Sequence, residues 1–262
     1  MIARALTIAG SDSGGGAGIQ QDLKTFQALG VWGMTAITAV TVQNTIGVAG
    51  FVELPPETVA AQIEAVASDI GVDAAKTGML ASAAIVEAVA RAVTDAEIDK
   101  LVVDPVFISK HGDNLLHADA VEALRREIIP LAFVVTPNAH EAGELAGTEV
   151  RTRSEQRDAA RAILSLGARA VLVKGGHVEG DAVDVLATRD DIIELAGPRI
   201  DSPNTHGTGC MLSAAIAAGL AKGLELERSL REAKEFVTGA IVHSLAIGKG
   251  IGPVNAAWRS EG

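Results

Sequence analysis

Short apolar runs alternate along the chain with longer segments in which apolar residues recur at helical spacing. The longer segments, at 56–70 and 83–93, are predicted to be amphipathic helices. The short runs are predicted to be strands and lie at 6–9, 36–42, 101–103, 133–135 and 170–173. Continuous apolar strands separated by helices are typical of a mostly parallel sheet with helices on both faces. The pattern therefore predicts a doubly wound α/β fold.

Length and composition favour a single folding unit. The chain has 262 residues and a hydrophobic share of 48%, and α/β folds of about 250 residues form as one unit. The chain contains no repeat with a period of about 20–50 residues, and no long stretch rich in Pro, Ser or charge. We therefore expect one domain over residues 1–262.

The charge of the chain argues against two classes of partner. The net charge is −11, and no run of Lys or Arg forms a basic stripe, so we expect no binding to nucleic acid or to an anionic membrane. Aromatic residues make up only 3% of the chain and Tyr is absent, which also disfavours a base-stacking surface. The expected partner is a small molecule.

The sequence also indicates the cellular compartment in which the protein is found. The start of the chain is too soon interrupted by Asp12 to form a signal peptide. The apolar helix predicted around Cys210 to Leu220 is shorter than the roughly 20 residues of a membrane span. The single cysteine, Cys210, excludes an internal disulfide. These features predict a protein of the reducing cytoplasm.

In doubly wound sheets, ligands bind beyond the carboxyl ends of the strands. The first strand is followed by a glycine-rich segment from Gly10 to Gly18, and then by a helix with Ile19, Leu23 and Phe26 on one face. Glycines allow backbone N–H groups to approach a ligand closely, and a helix start favours an anion. The spacing matches neither the dinucleotide fingerprint nor the Walker A loop, so a tight turn without a ligand stays an alternative.

Carboxylates follow two further strands. Asp104 comes directly after the run at 101–103, and Asn138 and Glu141 follow the run at 133–135. Mg²⁺ that is bound with a nucleotide usually takes only one or two protein carboxylates, often through water, which suits Asp104 and Glu141. The alternative for Asn138 is a helix cap, with Glu141 completing a capping box.

A lysine follows the run at 170–173, in the sequence Lys174-Gly-Gly-His177. A lysine beside two glycines at a strand end could neutralise the charge of a phosphate, or it could be a solvated side chain that closes the connection. We expect His177 to be a polar loop residue rather than a metal ligand, because no second His or Cys stands at ligand spacing.

The strongest local signal is Asn204-Thr-His-Gly-Thr-Gly-Cys210, which precedes an Ala-rich helix. Gly207 and Gly209 lie where the chain must turn into that helix. The successive N–H groups from Gly207 to Cys210 could form an anion hole, and the helix dipole would lower the pKa of a thiol at this end. A small buried core cysteine is the alternative interpretation of Cys210.

Together these segments resemble the ribokinase-like superfamily and, within it, the hydroxymethylpyrimidine/phosphomethylpyrimidine kinases of thiamine biosynthesis. The resemblance covers nearly the whole chain. It rests on ordered blocks: Ala5-Leu-Thr-Ile-Ala-Gly-Ser-Asp12, Gly14-Gly-Gly-Ala-Gly-Ile-Gln20, Asp22-Leu-Lys-Thr-Phe26, Val42-Gln-Asn44, Lys76-Thr-Gly-Met-Leu80, Asp104-Pro-Val106, Thr136-Pro-Asn138, Lys174-Gly-Gly-His177, Asn204-Thr-His-Gly-Thr-Gly-Cys210 and Gly248-Lys-Gly-Ile-Gly-Pro253.

This resemblance implies a ribokinase-like fold, in which a mostly parallel sheet lies between helices in a three-layer α/β/α arrangement. It also implies two successive phosphorylations by ATP with Mg²⁺. The first acts on the hydroxymethyl group of 4-amino-5-hydroxymethyl-2-methylpyrimidine, and the second converts the monophosphate to the diphosphate. The resemblance further implies a homodimer, although nothing in the sequence identifies its interface.

The resemblance also implies roles for particular residues. The amide of Gln43 would offer a donor and an acceptor to a ring nitrogen and an exocyclic amine of the pyrimidine. The full set around the pyrimidine would be Gly10, Ala17, Asp22, Thr41, Gln43, Met79 and Val106. The implied catalytic set is Cys210, Lys174, Gly207, Thr208 and Gly209. The nucleotide would be bound by Asp104, Asn138, Glu141, Lys174 and Thr208, with Mg²⁺ near Asp104 and Glu141 through water or ATP.

Cys210 stands where sugar kinases of the superfamily carry an aspartate that serves as a base. A loose phosphoryl-transfer transition state needs little early deprotonation, so Cys210 either accepts the proton or mainly orients the hydroxyl group. The chain departs from its relatives at Ser13, where many have Pro, and at His111 in the segment 110–113, where Ser is common. The second change would affect contacts with the monophosphate.

Three other functions stay open at this point. A kinase of the same fold that acts on pyridoxal or a related vitamin B6 alcohol is the nearest, because that ring also carries a hydroxymethyl group. A nucleotide-binding sensor without turnover is the second, and the presence of Asp104, Glu141, Lys174 and Cys210 disfavours it. An NAD-dependent oxidoreductase is the third, and the chain lacks the dinucleotide fingerprint that it would need.

Overall fold

A computed structural model of the chain describes residues 1–107, 118–176, 178 and 182–260. Its strands are β1 (Arg4–Ser11), β2 (Trp32–Gln43), β3 (Val48–Glu53), β4 (Ala74–Thr77), β5 (Leu101–Val103), β6 (Val134–Val135), β7 (Ala170–Val173), β8 (Asp184–Thr188) and β9 (Ile192–Leu195). Its α-helices are α1 (Gly18–Ala28), α2 (Pro56–Asp69), α3 (Ala83–Asp95), α4 (Ala118–Ala123), α5 (Ala139–Ala146), α6 (Arg153–Leu164), α7 (Thr208–Ala221) and α8 (Leu226–Val242).

Across the described ranges, the strands join into one nine-stranded sheet with the order β3-β2-β1-β4-β5-β6-β7-β8-β9. The strands from β2 to β7 in this order are all parallel to one another. β3, β8 and β9 are added to the two sides as antiparallel strands. The predicted parallel sheet is confirmed, and the antiparallel strands at its margins are additional.

Neighbouring residues of the central strands fill two different cores. Val103 packs in a cluster with residues of α2, α3 and α6, whereas Val102 packs in a second cluster with residues of α1, α7 and α8. Because successive side chains of a strand point to opposite faces, a strand between two helix layers is apolar at every position. This explains the continuous apolar runs in the sequence and confirms the three-layer α/β/α arrangement.

Helix α7 is enclosed on all sides. Every residue from Met211 to Leu220 is buried, and the helix packs against α1, α8 and the central strands. A helix that is apolar all round belongs in a core, so the Ala-rich composition is explained by close packing. The start of α7 is thereby fixed at the edge of the sheet where β1 and β5 end. In the part of the chain that the structure describes, no helix has the length and apolarity needed to cross a bilayer.

Candidate active site

The carboxyl ends of the parallel strands bring the predicted site residues Asp104 and Lys174 to one edge of the sheet, together with residues that the sequence did not assign to the site. Asp12 follows β1, Gly78 follows β4, Asp104 follows β5, Thr136 follows β6 and Lys174 follows β7. Parallel strands of one sheet end on the same side, so these five positions lie in a row although they are far apart in sequence. This edge is the expected place for a ligand.

Lys174 is held between two buried carboxylates. Its Nζ lies 3.1 Å from Asp104 Oδ1 and 3.8 Å from Glu141 Oε2. Burial alone would lower the pKa of Lys174, but the charges of Asp104 and Glu141 outweigh burial and raise the pKa above its ordinary value. Lys174 is therefore a fixed cation of the site, and the alternative of a solvated side chain is excluded.

The carboxylates fit a magnesium ion that arrives with a nucleotide. Asp104 and Glu141 outnumber the single positive charge of Lys174, and both are buried beside it. Among the described residues, no group of three or more His, Cys, Asp or Glu side chains could hold a metal ion. Two oxygen donors suit Mg²⁺ that keeps its water and phosphate ligands better than they suit a cage made by protein alone.

Asn138 begins helix α5 as its cap. The backbone N–H of Glu141 donates to Asn138 Oδ1 at 2.9 Å, and the backbone N–H of Asn138 donates to Glu141 Oε2 at 2.7 Å. These two bonds form the capping box that the sequence pattern indicates. The helix-cap interpretation of Asn138 is therefore confirmed, and its contact with a nucleotide stays a prediction.

A glycine turn at the start of α7 faces the same cation. Gly207 has a φ of 83°, and a Cβ at this position would overlap the carbonyl oxygen of Gly16, so only glycine fits. A Cβ at Gly209 would lie 3.5 Å from Lys174 Nζ and 3.7 Å from Asp104 Oδ2. The hydroxyl of Thr208 donates to Thr205 O at 2.7 Å and fixes the turn. The structure thus brings the proposed anion hole together with Lys174.

Cys210 is half-buried on the first turn of α7. Burial raises its pKa to about 11, although the charge of Lys76 and a backbone hydrogen bond from Gly18 act in the opposite direction. The expectation of a lowered pKa is therefore wrong, because the loss of solvent around the sulfur, together with the charges of Asp22 and Asp104, raises it. The neutral thiol is the resting form near neutral pH.

This protonation state predicts slow alkylation of Cys210. The thiolate is the reactive form, and a pKa of about 11 leaves only about one thiol in ten thousand ionised at pH 7. We expect the rate of reaction with iodoacetamide, measured by mass spectrometry, to keep rising from pH 7 to pH 10. Cys210 is the only cysteine, so the modified site is unambiguous. A rate that levels off below pH 9 would contradict the raised pKa.

Several residues expected around the pyrimidine lie close together. A Cβ at Gly10 would lie 3.1 Å from Met79 Sδ, so the two residues face each other across a narrow gap. The hydroxyl of Thr41 is 3.1 Å from Gln43 Oε1 and 3.0 Å from Ser11 O, to which it donates. The glycine-rich segment, β2 and the turn after β4 therefore meet at one place. Val106 is half-buried two residues after Asp104, and Ala17 lies in the glycine-rich segment itself.

Asp22 differs from the other residues of this set because it is fully enclosed. One oxygen of its carboxylate, Oδ2, accepts hydrogen bonds from Thr7 Oγ1 at 2.6 Å and from Lys76 Nζ at 2.9 Å. The other oxygen has no hydrogen-bond partner among the described residues. The carboxylate thus faces a buried ammonium group and not solvent, and direct contact between Asp22 and a substrate stays a prediction.

Lys76 is a charged member of the site to which the sequence alone assigned no role. Its side chain is fully buried, and burial alone would lower its pKa. The negative charges of Asp22 and Asp104 outweigh burial and raise the pKa above its ordinary value. The available signal was a lysine inside a short run of small residues. Asp12 and His206 are further residues of the site to which the sequence alone assigned no role.

Two sequence predictions lie outside the described residues. They are the loop role of His177 and the contacts of the segment 110–113, including His111.

Phosphoryl transfer depends on positive charge and backbone donors placed around the migrating group more than on covalent chemistry. The edge of this sheet supplies both, next to the residues that are expected to surround a small ring. The fold and the site therefore define a small-molecule kinase.

Comparison with known proteins identifies the family of that kinase. The model of the phosphomethylpyrimidine kinase family matches residues 12–255, and the chain belongs to this family. A hydroxymethylpyrimidine/phosphomethylpyrimidine kinase of Streptomyces coelicolor is 54% identical over 255 residues, which cover 97% of this chain and 94% of that protein.

Solved structures confirm the ribokinase-like fold. An ADP complex of a pyridoxal kinase from Bacillus subtilis has a TM-score of 0.92 at 40% identity and covers 100% of both chains. A phosphomethylpyrimidine kinase from Clostridium difficile has a TM-score of 0.82 at 42% identity, and the match covers 91% of this chain and 99% of that one. Use of ATP by this chain is consistent with the bound ADP of the first structure.

Proposed function

We propose that the chain phosphorylates 4-amino-5-hydroxymethyl-2-methylpyrimidine and then its monophosphate, giving the diphosphate used in thiamine biosynthesis. The observation that carries this proposal is the convergence of Lys174, the glycine turn and Cys210 beside the segment that contains Gly10 and the neighbouring turn that contains Met79. In each step an oxygen of the substrate bonds to the γ-phosphorus of ATP, the bond from that phosphorus to the bridging oxygen breaks, and ADP leaves.

The residues of the site have different roles in this reaction. Lys174 supplies positive charge to the transferring phosphoryl group, and the N–H groups of the turn 207–210 donate to its oxygens. Asp104 and Glu141 would hold Mg²⁺, which neutralises the phosphates of the nucleotide when it is bound. The neutral thiol of Cys210 orients the attacking hydroxyl group, because a group with a pKa of about 11 in the resting site already carries its proton.

The test is a coupled ADP-release assay with Mg·ATP and the pyrimidine alcohol, with mass spectrometry to count the phosphates on the product. We expect the monophosphate to form first and the diphosphate to follow. Tight nucleotide binding in a calorimeter without any phosphorylated product would favour a nucleotide-binding sensor and overturn the proposal.

A kinase acting on pyridoxal is the second candidate, and one observation favours it. The pyridoxal kinase from Bacillus subtilis superposes over the whole of this chain. Competition between the two alcohols distinguishes the candidates, because the better substrate has the higher kcat/KM and suppresses the other reaction. Turnover of pyridoxal without turnover of the pyrimidine alcohol would keep the phosphoryl chemistry and overturn the assignment of the substrate.

The protonation of Glu141 predicts how nucleotide use depends on pH. Burial raises the pKa of Glu141 to about 7, with Lys174 lowering it and Asp104 raising it. A carboxyl group with a raised pKa is neutral below that value, so the binding of Mg²⁺ must compete with a proton as the pH falls. We expect the KM for Mg·ATP to rise about tenfold between pH 8 and pH 6.

Glu141→Gln is the matched control for this prediction. The amide can still accept the bond from the Asn138 N–H, so the cap of α5 is kept, but the group no longer titrates. The variant should have a high KM for Mg·ATP at every pH. Any pH effect that comes from the ionisation of the nucleotide itself should be the same in the variant and in the wild type. An equally steep pH dependence in Glu141→Gln would show that Glu141 is not its source.

The outer face of the β2–β3 hairpin supports a homodimer. Val40 pairs with Val52 across the two strands, and Val42 lies on the same face two residues further along β2. Val42 and Val52 are 66% and 70% exposed. An apolar patch beside an edge strand is typical of a contact between proteins, and two copies of one patch can face each other across a twofold axis.

The oligomeric state of a variant with two new charges tests this interface. Val42→Lys together with Val52→Lys would place like charges opposite each other, so light scattering should report the mass of one chain where the wild type has the mass of two. The matched control is Ile70→Lys, at the end of α2 and away from the hairpin, which should leave the dimer intact. A monomeric wild type, or a double variant that stays dimeric, would contradict the proposed interface.

The same proposal includes the organisation and compartment of the protein. The continuity of one sheet from β3 to β9 supports a single kinase domain over residues 1–262. The free thiol of Cys210 in the site suits the reducing cytoplasm, where thiols persist and ATP is available.

A further inference from the structure

A buried carboxylate holds the glycine-rich segment in its shape. Asp12 is only 3% exposed and lies directly after β1. Its Oδ1 accepts a hydrogen bond from the N–H of Gly14 at 2.7 Å, and its Oδ2 accepts from the N–H groups of Gly16 at 3.0 Å and Ala17 at 2.8 Å. One side chain therefore gathers three backbone donors and closes the loop that leads into α1.

The same carboxylate reaches a residue at the other end of the chain. Asp12 Oδ2 lies 3.1 Å from Nε2 of His206, which is 5% exposed and stands 194 positions later. Burial alone would raise the pKa of Asp12, but the hydrogen bonds from His206, Gly14 and Ala17 lower it below its usual value. An ionised carboxylate can only accept, so Nε2 of His206 carries the proton of this bond.

His206 is itself fixed next to the glycine turn. It immediately precedes Gly207, and its backbone N–H donates to Gly252 O at 3.0 Å, while its carbonyl oxygen accepts from Val254 at 3.1 Å. A Cβ at Gly16 would overlap the ring of His206, and a Cβ at Gly207 would overlap the carbonyl oxygen of Gly16. The two loops are in direct contact, so a displacement of one must move the other.

We propose that Asp12 and His206 are positioning residues that hold the substrate segment, 10–18, in alignment with the phosphate turn, 207–210. This inference rests on the proposed function, in which the segment contacts the ring of the alcohol and the turn contacts the phosphoryl group. In-line transfer requires the two reactants to stay within a fraction of an ångström of their reactive geometry, and a misplacement of about 1 Å can cost about a hundredfold in rate. The Asp12–His206 bond joins the two loops that set this distance.

Two substitutions of His206 separate the hydrogen bond from the volume of the ring. His206→Gln keeps an N–H donor near the position of Nε2, whereas His206→Leu fills a similar volume and cannot donate. We expect His206→Leu to lower kcat by about 10- to 100-fold while the KM for ATP changes by less than about threefold. His206→Gln should restore kcat to within about threefold of the wild type.

A second measurement reports alignment directly. When the alcohol is misplaced, water can take the phosphoryl group instead, and ADP then forms together with free phosphate. The ratio of ADP released to phosphoryl groups found on the alcohol product should be one in the wild type, because each transfer releases one ADP. This ratio should rise in His206→Leu and should return towards one in His206→Gln. A residue with a merely structural role would lower the melting temperature and the active fraction without changing this ratio.

A double-mutant cycle that combines Asp12→Asn with His206→Leu completes the test. The double variant with His206→Leu should be no slower than the worse single variant, because both changes break the same bond. Three outcomes would overturn the inference. The first is a wild-type kcat and a wild-type ADP ratio in His206→Leu, and the second is an equal loss of kcat in His206→Leu and His206→Gln. The third is additive losses of activation free energy in the double variant. The variants are compared on whichever alcohol the wild type phosphorylates, so that turnover of pyridoxal alone would overturn the proposed substrate and leave the alignment testable.

Discussion

Replacing Lys76 with methionine is expected to lower the free energy of unfolding by about 3–5 kcal/mol, which is the usual cost of removing one partner from a buried ion pair. Lys76 Nζ lies 2.9 Å from Asp22 Oδ2, and both side chains are fully buried. Methionine has a similar length, so the packing of β4 changes little while the carboxylate of Asp22 loses its counter-charge. The midpoint of urea unfolding, with an unchanged slope, measures this loss.

The double variant Lys76→Met with Asp22→Asn is the matched control. It removes the uncompensated charge, and it should be considerably more stable than Lys76→Met alone. The deficit of the single variant should also shrink as the pH falls. Burial raises the pKa of Asp22 even beside Lys76, and removal of Lys76 should raise it further. The neutral form of Asp22 is therefore retained at low pH, and stability is lost as the pH rises through the folded-state pKa. A single variant that loses less than about 1 kcal/mol, or a double variant that is no more stable, would contradict the role of this pair.

The most central strands could be predicted because every residue in them is buried and therefore apolar. Both faces of β5 and β7 are covered by helices, so their sequences are continuously apolar. The pattern did not predict β3, β4, β8 or β9. β4 is short and contains a lysine, and β3 is partly exposed at the margin of the sheet and contains a glycine. Such segments become strands because their neighbours pair with them, which a local pattern does not record.

The site was predictable to the extent that it follows strand ends. Asp104 and Lys174 are recognisable because the carboxyl ends of parallel strands meet at one edge. The glycine turn is recognisable because Gly207 and Gly209 stand where the chain enters an apolar helix. The bonds from Asp22 to Lys76 and from Asp12 to His206 span 54 and 194 positions, and no spacing rule connects such residues. The pKa of Cys210 was mispredicted for a related reason. Its helix position was visible in the sequence, but its burial and its charged neighbours come from other elements.

Replacing Cys210 with alanine is expected to lower kcat by about a hundred- to a thousandfold with only a modest change in the KM for the pyrimidine alcohol. The thiol lies on the first turn of α7 beside the proposed anion hole, whereas the groups expected to recognise the ring, such as Gln43, lie on β2. Steady-state kinetics of the ADP-release assay separate the two parameters. Turnover at the wild-type rate in Cys210→Ala would exclude any role of the thiol in the reaction.

Cys210→Ser then distinguishes the two roles that the thiol can have. A serine hydroxyl can hydrogen-bond to the attacking hydroxyl group, but it is even harder to ionise than the thiol of Cys210. If Cys210 acts as a base, the serine variant should be as slow as the alanine variant, and wild-type kcat should rise with pH towards the thiol pKa of about 11. If Cys210 orients the hydroxyl group, the serine variant should lie clearly above the alanine variant, and kcat should be flat above pH 8. We expect the second result, because burial favours the neutral thiol and because a loose transition state leaves the proton on the attacking oxygen until the phosphoryl group has largely moved.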